Sequence, residues 1–387
     1  MSNGQIIYLD HAAATPIEPA VLAAMQPYFS DYFYNPSSPY LPAVETRRAL
    51  EQARHRVAVC IGGQADDIIF TAGATESIAL ALTAADGGEL ITSAVEHPAV
   101  LENAKRAEAV VLEPLANGRI DPEVAKKAIT PETQVVSIGL ANSELGTIQP
   151  LKEIAGIVAM ERSRRLEESE PRPIWLHSDA SQAAGMLDIR LSRLGVDLLS
   201  LNAAKVYGPK QVGLLWRRPG VKLAPLFGGG GQEMGLRSGT ESVAGAVGFA
   251  VALERAEQKR KSEVKRLSSL RDAMQQKLLA TYEDMVVSGD QKRRLPGHLH
   301  IAFPSIDAER LIFLLEARGV LVATGSACAA NKGTRSHVLE AIGMDEATAD
   351  GSLRITLGRQ TTERDMQAAT TAIIEAVNTE KERLQRL

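Results

Sequence analysis

The chain contains the stretch IIFTAGATESIALAL at residues 68–82, and this stretch decides the fold. An apolar run leads into the small-residue turn Gly73-Ala74-Thr75, and a helical pattern of apolar residues follows from Glu76 onward. A buried strand that enters a helix through a tight turn is the unit from which parallel α/β sheets are built. The same alternation continues as far as Trp216, so the sequence predicts a doubly wound α/β domain.

The predicted strands are short apolar runs that alternate with longer helical patterns. They lie at residues 68–71, 90–93, 110–112, 134–140, 174–179, 197–201 and 212–216. Helices that are long enough to cover a face of the sheet are predicted at 76–85, 98–107 and 151–162. This pattern predicts a large, mainly parallel sheet with helices on both faces.

The rest of the chain predicts a second, smaller α+β unit. After the glycine run at 228–231, residues 241–282 contain few helix breakers and predict one long helix or two joined helices. Helical stretches separate three further predicted strands, at 298–303, 320–323 and 352–356. A chain of 387 residues is long enough for two domains. We expect a large domain at residues 16–254 and a small domain formed by residues 1–15 and 255–387.

Composition argues against several classes of partner. The chain has 43 Lys and Arg against 47 Asp and Glu, so its charge does not favour direct binding to nucleic acid or to an anionic membrane. It has neither a long apolar span nor the start of a signal peptide, and we therefore expect a cytoplasmic protein. Cys60 and Cys328 are the only cysteines, without metal-ligand spacing, so we expect neither a disulfide framework nor a metal site.

Two of the predicted turns could hold a ligand. Ala74 and Thr75 begin a helix, where backbone N–H groups and the helix dipole favour a phosphate; alternatively, Thr75 only caps the helix. In IWLHSDASQAAG, at 174–185, Asp179 ends a strand and Gln182 follows three residues later. A carboxylate at this edge of a parallel sheet lies where ligands bind and needs a cationic partner, such as a protonated pyridine nitrogen. The alternative is an aspartate that caps the following helix.

Lys205 is the candidate for a covalent bond to a carbonyl ligand. It lies four residues beyond a predicted strand in LLSLNAAKVYGPKQVGLL, at 198–215, among alanine and valine residues. Poor solvation there favours the neutral amine that forms Schiff bases. Lys210 is the rival candidate, and an ordinary solvent-facing lysine is the alternative for both.

Cys328 is the candidate nucleophile. It lies in VLVATGSACAANKGTRSHVL, at 320–339, within small residues that are typical of an exposed loop. Cys60 lies in an apolar run and is predicted to pack as a small hydrophobic residue. A reactive thiol must ionise, and Lys332 or Arg335 could stabilise the thiolate. A surface thiol without a role is the alternative.

Ten motifs in this order resemble those of NifS/IscS-type cysteine desulfurases in the class V aminotransferase family. They are YLDHAAATP at 8–16, NPSS at 35–38, IFTAGATES at 69–77, EHPAVLE at 96–102, ELGTIQP at 144–150, HSDASQ at 177–182, KVYGPK at 205–210, LRSGT at 236–240, TGSAC at 324–328 and LRITLGR at 353–359. The likeness covers nearly the whole chain, and the ordered set is far more specific than any single motif.

The resemblance implies a pyridoxal-phosphate enzyme of fold type I that takes sulfur from L-cysteine and yields L-alanine and a protein-bound persulfide. Lys205 is then the lysine that binds pyridoxal phosphate, and Asp179 is the partner of the pyridine nitrogen. His97 falls where the family stacks an imidazole on the ring, a position that also suits acid–base work. The remaining implied cofactor contacts are Gln182 to the phenolic oxygen, Ala74 and Thr75 to the phosphate, and Asn202 as a further donor.

The remaining implied roles concern the substrate and the partners. Thr240 is similar to the residue that reaches the phosphate from the neighbouring subunit, so a homodimer is implied. Arg354 matches the arginine that binds the substrate carboxylate, a role suited to its planar set of donors, and Asn35 is assigned to the substrate as well. Cys328 would attack the sulfur of the bound cysteine. The sulfur would then pass to an acceptor protein, such as an iron–sulfur scaffold or a sulfur carrier.

Several positions depart from the family pattern, mostly around the cofactor. Ala204 replaces the usual histidine before the lysine, and Asn202 with Ala203 replaces the usual serine, although Asn202 could still donate. Ser143 replaces an asparagine that normally touches the cofactor and the substrate. The other departures are His11, Tyr40, Ala43 and Val44. A lost hydrogen bond to a charged group costs about 1.5 to 3 kcal/mol, so we expect effects on cofactor retention and turnover rather than on the fold.

These departures keep two alternatives open. One is another class V enzyme that uses pyridoxal phosphate, such as a selenocysteine lyase or an aminotransferase, because one fold supports several chemistries. The other is a catalytically weakened paralogue that binds the cofactor and acts as a binding subunit. We favour the desulfurase because an idle pocket has no reason to keep its functional residues together: Asp179, His97, Lys205, Cys328 and Arg354.

Overall fold

A computed structural model of the chain describes residues 6–325 and 335–386. The strands in this part of the chain are β1 (Ile7–Tyr8), β2 (Ile68–Thr71), β3 (Glu89–Ser93), β4 (Val110–Leu112), β5 (Thr133–Ser137), β6 (Trp175–Asp179), β7 (Leu198–Asn202), β8 (Gly213–Arg217), β9 (Val286–Val287), β10 (His298–Ala302), β11 (Val320–Leu321) and β12 (Ser352–Thr356). The α-helices are α1 (Pro19–Met25), α2 (Pro27–Ser30), α3 (Leu41–Ile61), α4 (Ala74–Leu82), α5 (Pro98–Arg106), α6 (Pro122–Ala128), α7 (Leu151–Glu167), α8 (Leu191–Leu194), α9 (Val243–Thr281), α10 (Ala308–Glu316), α11 (His337–Ala341), α12 (Glu346–Ala349) and α13 (Glu363–Gln385). None of the helices in the described ranges has the length and apolar character needed to cross a bilayer.

The large sheet has seven strands in the order β2-β8-β7-β6-β5-β3-β4. The pairs from β7 to β4 are all parallel, whereas β8 is antiparallel to both β7 and β2. Because one strand of the seven is reversed, the sheet is mainly parallel, and the predicted α/β class is confirmed.

Helices cover both faces of this sheet. Side chains alternate between the faces along a strand, so Ile68 and Phe70 join one core while Ile69 joins the other. The first core packs the sheet against α1, α3, α7 and the first half of α9, and the second packs it against α4 and α5. Because both faces of the sheet are buried, its strands are nearly continuous apolar runs in the sequence.

A further core lies around the antiparallel sheet β12-β10-β9 with α10 and α13. The N-terminal segment belongs to it, because β1 pairs with β11 and Leu9 is buried there. Helix α9 passes from one core to the other: Phe249 and Leu253 pack under the large sheet, whereas Leu267 and Met274 pack in the smaller core. The domain boundaries stay a prediction. The passage of α9 from one core to the other supports them.

The predicted elements differ from the observed ones mainly at their ends. The strand predicted at 134–140 ends at Ser137, and Gly139 instead donates its N–H to both carboxylate oxygens of Glu96. The helix predicted from Glu76 begins at Ala74. Residues 241–282 contain the single helix α9, Val243–Thr281, of 39 residues, rather than two helices.

Candidate active site

A cavity of about 240 Å³ opens where the parallel strands β3, β5, β6 and β7 end. This is the edge of an open parallel sheet at which ligands bind. The volume is several times the roughly 30 Å³ that one water molecule occupies in the liquid. Eight of the predicted site residues line the cavity: Ala74, Thr75, His97, Asp179, Gln182, Asn202, Lys205 and Arg354.

The first turn of α4 forms one wall of the cavity. The helix follows Gly73, whose φ of 107° is a conformation that side chains rarely adopt, and no side chain caps it. The alternative in which Thr75 is the cap is therefore wrong. Strand β8 comes very close here, because a Cβ on Gly213 would lie 2.5 Å from the backbone of Gly73. The first N–H groups of a helix lack partners within it, so the turn at Ala74 and Thr75 suits an anion.

Lys205 follows β7 and ends the short 3₁₀ turn Ala203–Lys205. Its side chain is half-buried, and Nζ donates to the carbonyl oxygens of Ala12 at 2.7 Å and Ala13 at 2.6 Å. These carbonyls hold the amine at the cavity wall. Lys210 is exposed and lines a different recess. The geometry therefore favours Lys205 over Lys210 for a covalent bond to a ligand in this cavity.

Asp179 and Gln182 lie on the same wall as Lys205. Asp179 Oδ1 accepts a hydrogen bond from the backbone N–H of Ser181 at 2.9 Å. Residues 180–190, all of them described, contain no α-helix, so Asp179 closes a turn rather than capping a helix. Gln182 Nε2 donates to the carbonyl of Ala12 at 3.0 Å, the same oxygen that Lys205 contacts. The segment at Ala12 thus joins the amine and the amide at one point.

His97 lines the cavity and also begins α5. Its Nδ1 accepts a hydrogen bond from the backbone N–H of Ala99 at 3.0 Å, so the neutral ring carries its proton on Nε2. Burial lowers the pKa of His97, whereas the negative charge of Asp179 raises it and the nearby Lys205 lowers it further. His97 is therefore a neutral imidazole at pH 7.

Arg354 lies on β12 with its guanidinium buried. Its Nη2 donates to Asp10 Oδ1 at 2.8 Å, although the two residues are 344 positions apart in the chain. Its Nε is buried without a hydrogen-bond partner among the described residues. Asp10 therefore orients the guanidinium while donors remain for a carboxylate in the cavity.

Sequence reasoning missed a buried cluster beside Arg354. Glu144 Oε2 accepts a hydrogen bond from Ser336 Oγ at 2.8 Å, and Glu144 Oε1 lies 3.9 Å from Nε2 of His300. Burial raises the pKa of Glu144 to about 7 and lowers that of His300 to about 3. Glu144 lies within the ELGTIQP motif, which was a signal of its importance. No sequence pattern indicated that His300 lies directly opposite Arg354 in the β10–β12 pair.

Glu96 is a second buried carboxyl to which the sequence analysis gave no role, although it begins the EHPAVLE motif. Its oxygens accept hydrogen bonds from the N–H of Gly139 at 3.0 and 3.1 Å, and Oε1 also accepts from Ser93 Oγ at 2.7 Å. Burial raises the pKa of Glu96 to about 7, and the negative charge of Asp179 adds to this effect. Glu96 joins the ends of β3 and β5 immediately before His97 in the chain.

The other predicted site residues lie outside this cavity or outside the described residues. Thr240 and Asn35 are exposed and do not line the cavity, and Asn35 Oδ1 accepts from the N–H of Ser37 at 2.9 Å. Cys328 and Lys332 lie outside the described residues, so the role of Cys328 stays a prediction. Cys60 is half-buried on α3, where burial raises the pKa of its thiol to about 12 and makes it unreactive at neutral pH.

Comparison with known proteins identifies the family. The family model described as aminotransferase class-V matches residues 7–369. The chain belongs to the class-V aminotransferase family. The resemblance predicted from the ordered motifs is therefore confirmed.

Relatives of this class-V chain include cysteine desulfurases. Cysteine desulfurase IscS of Dictyoglomus turgidum is 40% identical, over 93% of this chain and 91% of its own length. A solved NifS-like protein is 33% identical with a TM-score of 0.88, over 97% of this chain and 100% of its own. The structure of SspA in complex with cysteine is 34% identical with a TM-score of 0.76, over 90% of this chain and 98% of its own. The likeness extends over nearly the whole chain.

The structure also shows what surrounds the departures from the class-V desulfurase pattern. Asn202 Oδ1 accepts from the N–H of Ala204 at 3.1 Å, so its amide nitrogen is the part that can donate to a ligand. Ser143 lines the cavity. Its neighbour Asn142 does not compensate, because its side chain bonds the N–H groups of Glu144 and Leu145 and the carbonyl of Val95. Within residues 6–325 and 335–386, Asn142 therefore does not take the place of the missing asparagine.

The cavity fits pyridoxal phosphate, the cofactor on which this class-V family depends. The uncapped first turn of α4 suits the phosphate, and the carboxylate of Asp179 suits a protonated ring nitrogen. The amine of Lys205 suits the aldehyde. All three groups line the same cavity.

Proposed function

We propose that the chain is a pyridoxal-phosphate-dependent cysteine desulfurase, which takes sulfur from L-cysteine and yields L-alanine and a persulfide on Cys328. The single observation that carries the proposal is the shared cavity of Lys205, Asp179, His97 and Arg354. A lysine, a carboxylate, an imidazole and an arginine at one site provide attachment, ring charge, proton transfer and carboxylate binding. The desulfurase relatives support the choice of cysteine as substrate.

The cofactor would be held by residues from three strand ends. Lys205 binds it covalently, the first turn of α4 holds its phosphate, and Asp179 keeps its ring nitrogen protonated. When bound, pyridoxal phosphate supplies an electron-withdrawing ring that stabilises negative charge on the substrate Cα. Gln182 and Asn202 line the same cavity and supply further hydrogen-bond donors.

Arg354 would position the substrate, and His97 would give a proton to it or take one from it. Arg354 presents its guanidinium to the substrate carboxylate, and Asp10 fixes its orientation through the hydrogen bond at 2.8 Å. His97 holds a proton at Nε2, because its Nδ1 is bonded to the N–H of Ala99. Burial keeps the ring neutral, so His97 can exchange a proton with the substrate near pH 7. Asn35 remains a proposed substrate contact.

The partners follow from the same proposal. Cys328 would receive the sulfur of the substrate and pass it to an acceptor protein, such as an iron–sulfur scaffold or a sulfur carrier. Thr240 would complete the phosphate site of a second subunit, so the active form is a homodimer. Exposed aromatic residues support such an interface, because large apolar patches mark contact surfaces. Phe33 and Tyr40 are exposed and lie on either side of Tyr34, with ring centroids 4.5 and 6.0 Å from its ring. A cytoplasmic location remains a prediction.

The test is a cysteine-turnover assay on the cofactor-loaded protein, with mass spectrometry of Cys328. With a reductant we expect alanine and sulfide in equal amounts. Without a reductant we expect an added sulfur atom on Cys328. The variant Cys328→Ala should keep the colour of the bound cofactor and lose sulfide production, whereas Cys60→Ala should behave as the wild type. Normal turnover by Cys328→Ala would reject Cys328 as the nucleophile.

The same assay separates the alternative functions. A selenocysteine lyase would release selenide from selenocysteine but little sulfide from cysteine. An aminotransferase would convert a keto acid to an amino acid with cysteine or alanine as donor. A binding subunit would turn over none of these substrates.

A further inference from the structure

The loop at residues 231–240, which carries Thr240, has a strained backbone. Gly231, Glu233, Met234 and Gly235 have φ values of 81°, 48°, 60° and 78°. Glu233 and Met234 carry side chains, for which this left-handed region is unfavourable. Such a conformation persists only where surrounding contacts hold it.

A buried ion pair provides those contacts. Arg54 on α3 donates through Nη1 and Nη2 to the two carboxylate oxygens of Glu233, at 2.7 and 2.8 Å. The two side chains are only 8% and 3% exposed. The same carboxylate accepts from the N–H of Phe70 at 2.8 Å, and Arg54 also donates to the carbonyl of Ile68 at 2.8 Å. Glu233 is therefore fixed to α3 and to the edge strand β2 at once.

A second ion pair joins the loop to the cavity wall. Arg237 Nε donates to Glu76 Oε1 at 3.0 Å, and Glu76 Oε2 accepts from the N–H of Ala72 at 2.7 Å. Glu76 lies in the first turn of α4, which lines the cavity at Ala74. Thr240 is exposed at the end of the loop and does not line the cavity of its own chain. The loop is thus anchored at one end and presents Thr240 outward at the other.

We propose that Arg54 and Glu233 are positioning residues, which hold the loop so that Thr240 reaches the cofactor phosphate of the partner subunit in the homodimer. Neither residue lines the cavity of its own chain, so both act through the loop. The inference rests on the proposed function, because it needs bound pyridoxal phosphate and a second subunit. An ion pair with a merely structural role would affect its own subunit, whereas this pair affects the site of its partner.

The first measurement is the rate at which pyridoxal phosphate leaves the purified holoenzyme, followed by visible absorbance during dialysis. Glu233→Gln keeps the size of the side chain and removes its charge, so release should become about tenfold faster or more. Thr240→Ala should speed release to the same extent. Combining Glu233→Gln with Thr240→Ala should speed release little beyond either change alone, because both changes act through one contact. The paired variant Arg54→Met with Glu233→Gln removes both charges and should release the cofactor as fast as Thr240→Ala.

Arg56→Met is the matched control. Arg56 lies on the same helix and forms a two-bond ion pair with Glu254, at 2.8 and 2.5 Å, but this more exposed pair does not touch the loop. The control should release the cofactor at the wild-type rate. Sedimentation should show dimers for every variant, so that loss of the second subunit does not explain faster release.

Mixed dimers separate positioning in the partner from a structural role within one subunit. Lys205→Ala in one subunit leaves a single site per dimer that can bind the cofactor covalently. Placing Glu233→Gln in the same subunit as Lys205→Ala puts the altered loop against the intact site, and release should be fast. Placing Glu233→Gln in the other subunit puts a normal loop against the intact site, and release should be slow.

Equal release from the two mixed dimers, or fast release from the second alone, would overturn the proposal. A wild-type chain that binds no pyridoxal phosphate would refute the proposed function and this inference with it. Normal binding with no effect of Glu233→Gln would refute this inference alone.

Discussion

Replacing Glu144 with glutamine is expected to stabilise the folded chain at neutral and higher pH. The residue is 1% exposed, and its Oε1 has no hydrogen-bond partner among the described residues. Burial raises the pKa of Glu144 to about 7 from the 4.5 of an ordinary glutamate. Glutamine keeps an oxygen that accepts from Ser336, and its amide can donate toward the unpaired ring of His300.

The magnitude follows from the proton that Glu144 retains. Between pH 4.5 and 7 the carboxyl is ionised in the unfolded chain and protonated in the folded chain, so the free energy of unfolding falls as the pH rises. Each tenfold change in the ionisation constant is worth about 1.4 kcal/mol, and the change from 4.5 to about 7 therefore corresponds to about 3 kcal/mol. The cost is absent well below pH 4.5 and complete above pH 7.

Urea unfolding of the wild type and of Glu144→Gln, at one protein concentration and over a series of pH values, measures this effect. The difference between the two should stay constant well below pH 4.5, grow in favour of the variant by about 3 kcal/mol between pH 4.5 and 7, and stay constant above that. Glu340→Gln, at an exposed carboxyl of α11, should run parallel to the wild type. If Glu144→Gln also ran parallel, Glu144 would not hold a proton in the folded chain, and the reasoning would be refuted.

Three further predictions concern the cavity. Arg354→Lys replaces a planar set of hydrogen-bond donors with a point charge. In a steady-state assay the KM for cysteine should rise about 10- to 100-fold, with a smaller change in kcat. An unchanged KM would exclude carboxylate binding by Arg354. Ala204→His restores the usual family residue and should slow cofactor release by about tenfold during dialysis, whereas unchanged release would show that this histidine is dispensable here. Gly73→Ala places a side chain at a φ of 107°, so the free energy of unfolding from thermal melts should fall by about 1 to 2 kcal/mol. Cofactor binding should also weaken in a titration. Binding at the wild-type strength would argue against the first turn of α4 as the phosphate site.

Local patterns were sufficient to predict much of the fold and of the cavity. Residues 68–71 form the predicted strand because both of its faces are buried, which the apolar run already indicated. Asp179 is the last residue of a strand, and Thr75 and Lys205 each lie a few residues after a strand end. Because a mainly parallel sheet brings such ends to one edge, their sequence positions implied that they lie together.

Contacts between distant segments were not predictable in this way. Asp10 meets Arg354 across 344 positions, and Lys205 meets Ala12 across 193, so only the packing of the N-terminal segment against both cores brings them together. The strain at Glu233 was not predictable either, because residues other than glycine rarely adopt a positive φ. Only the neighbouring glycines indicated a tight loop.

The most direct test of the central claim is borohydride reduction of the cofactor-loaded chain, followed by mass spectrometry of its peptides. Reduction fixes the cofactor to whichever lysine had bound its aldehyde. We predict the label on Lys205, in the peptide that contains KVYGPK, and its loss in Lys205→Ala. A label on Lys210 or on any other lysine of the wild-type chain would contradict the account.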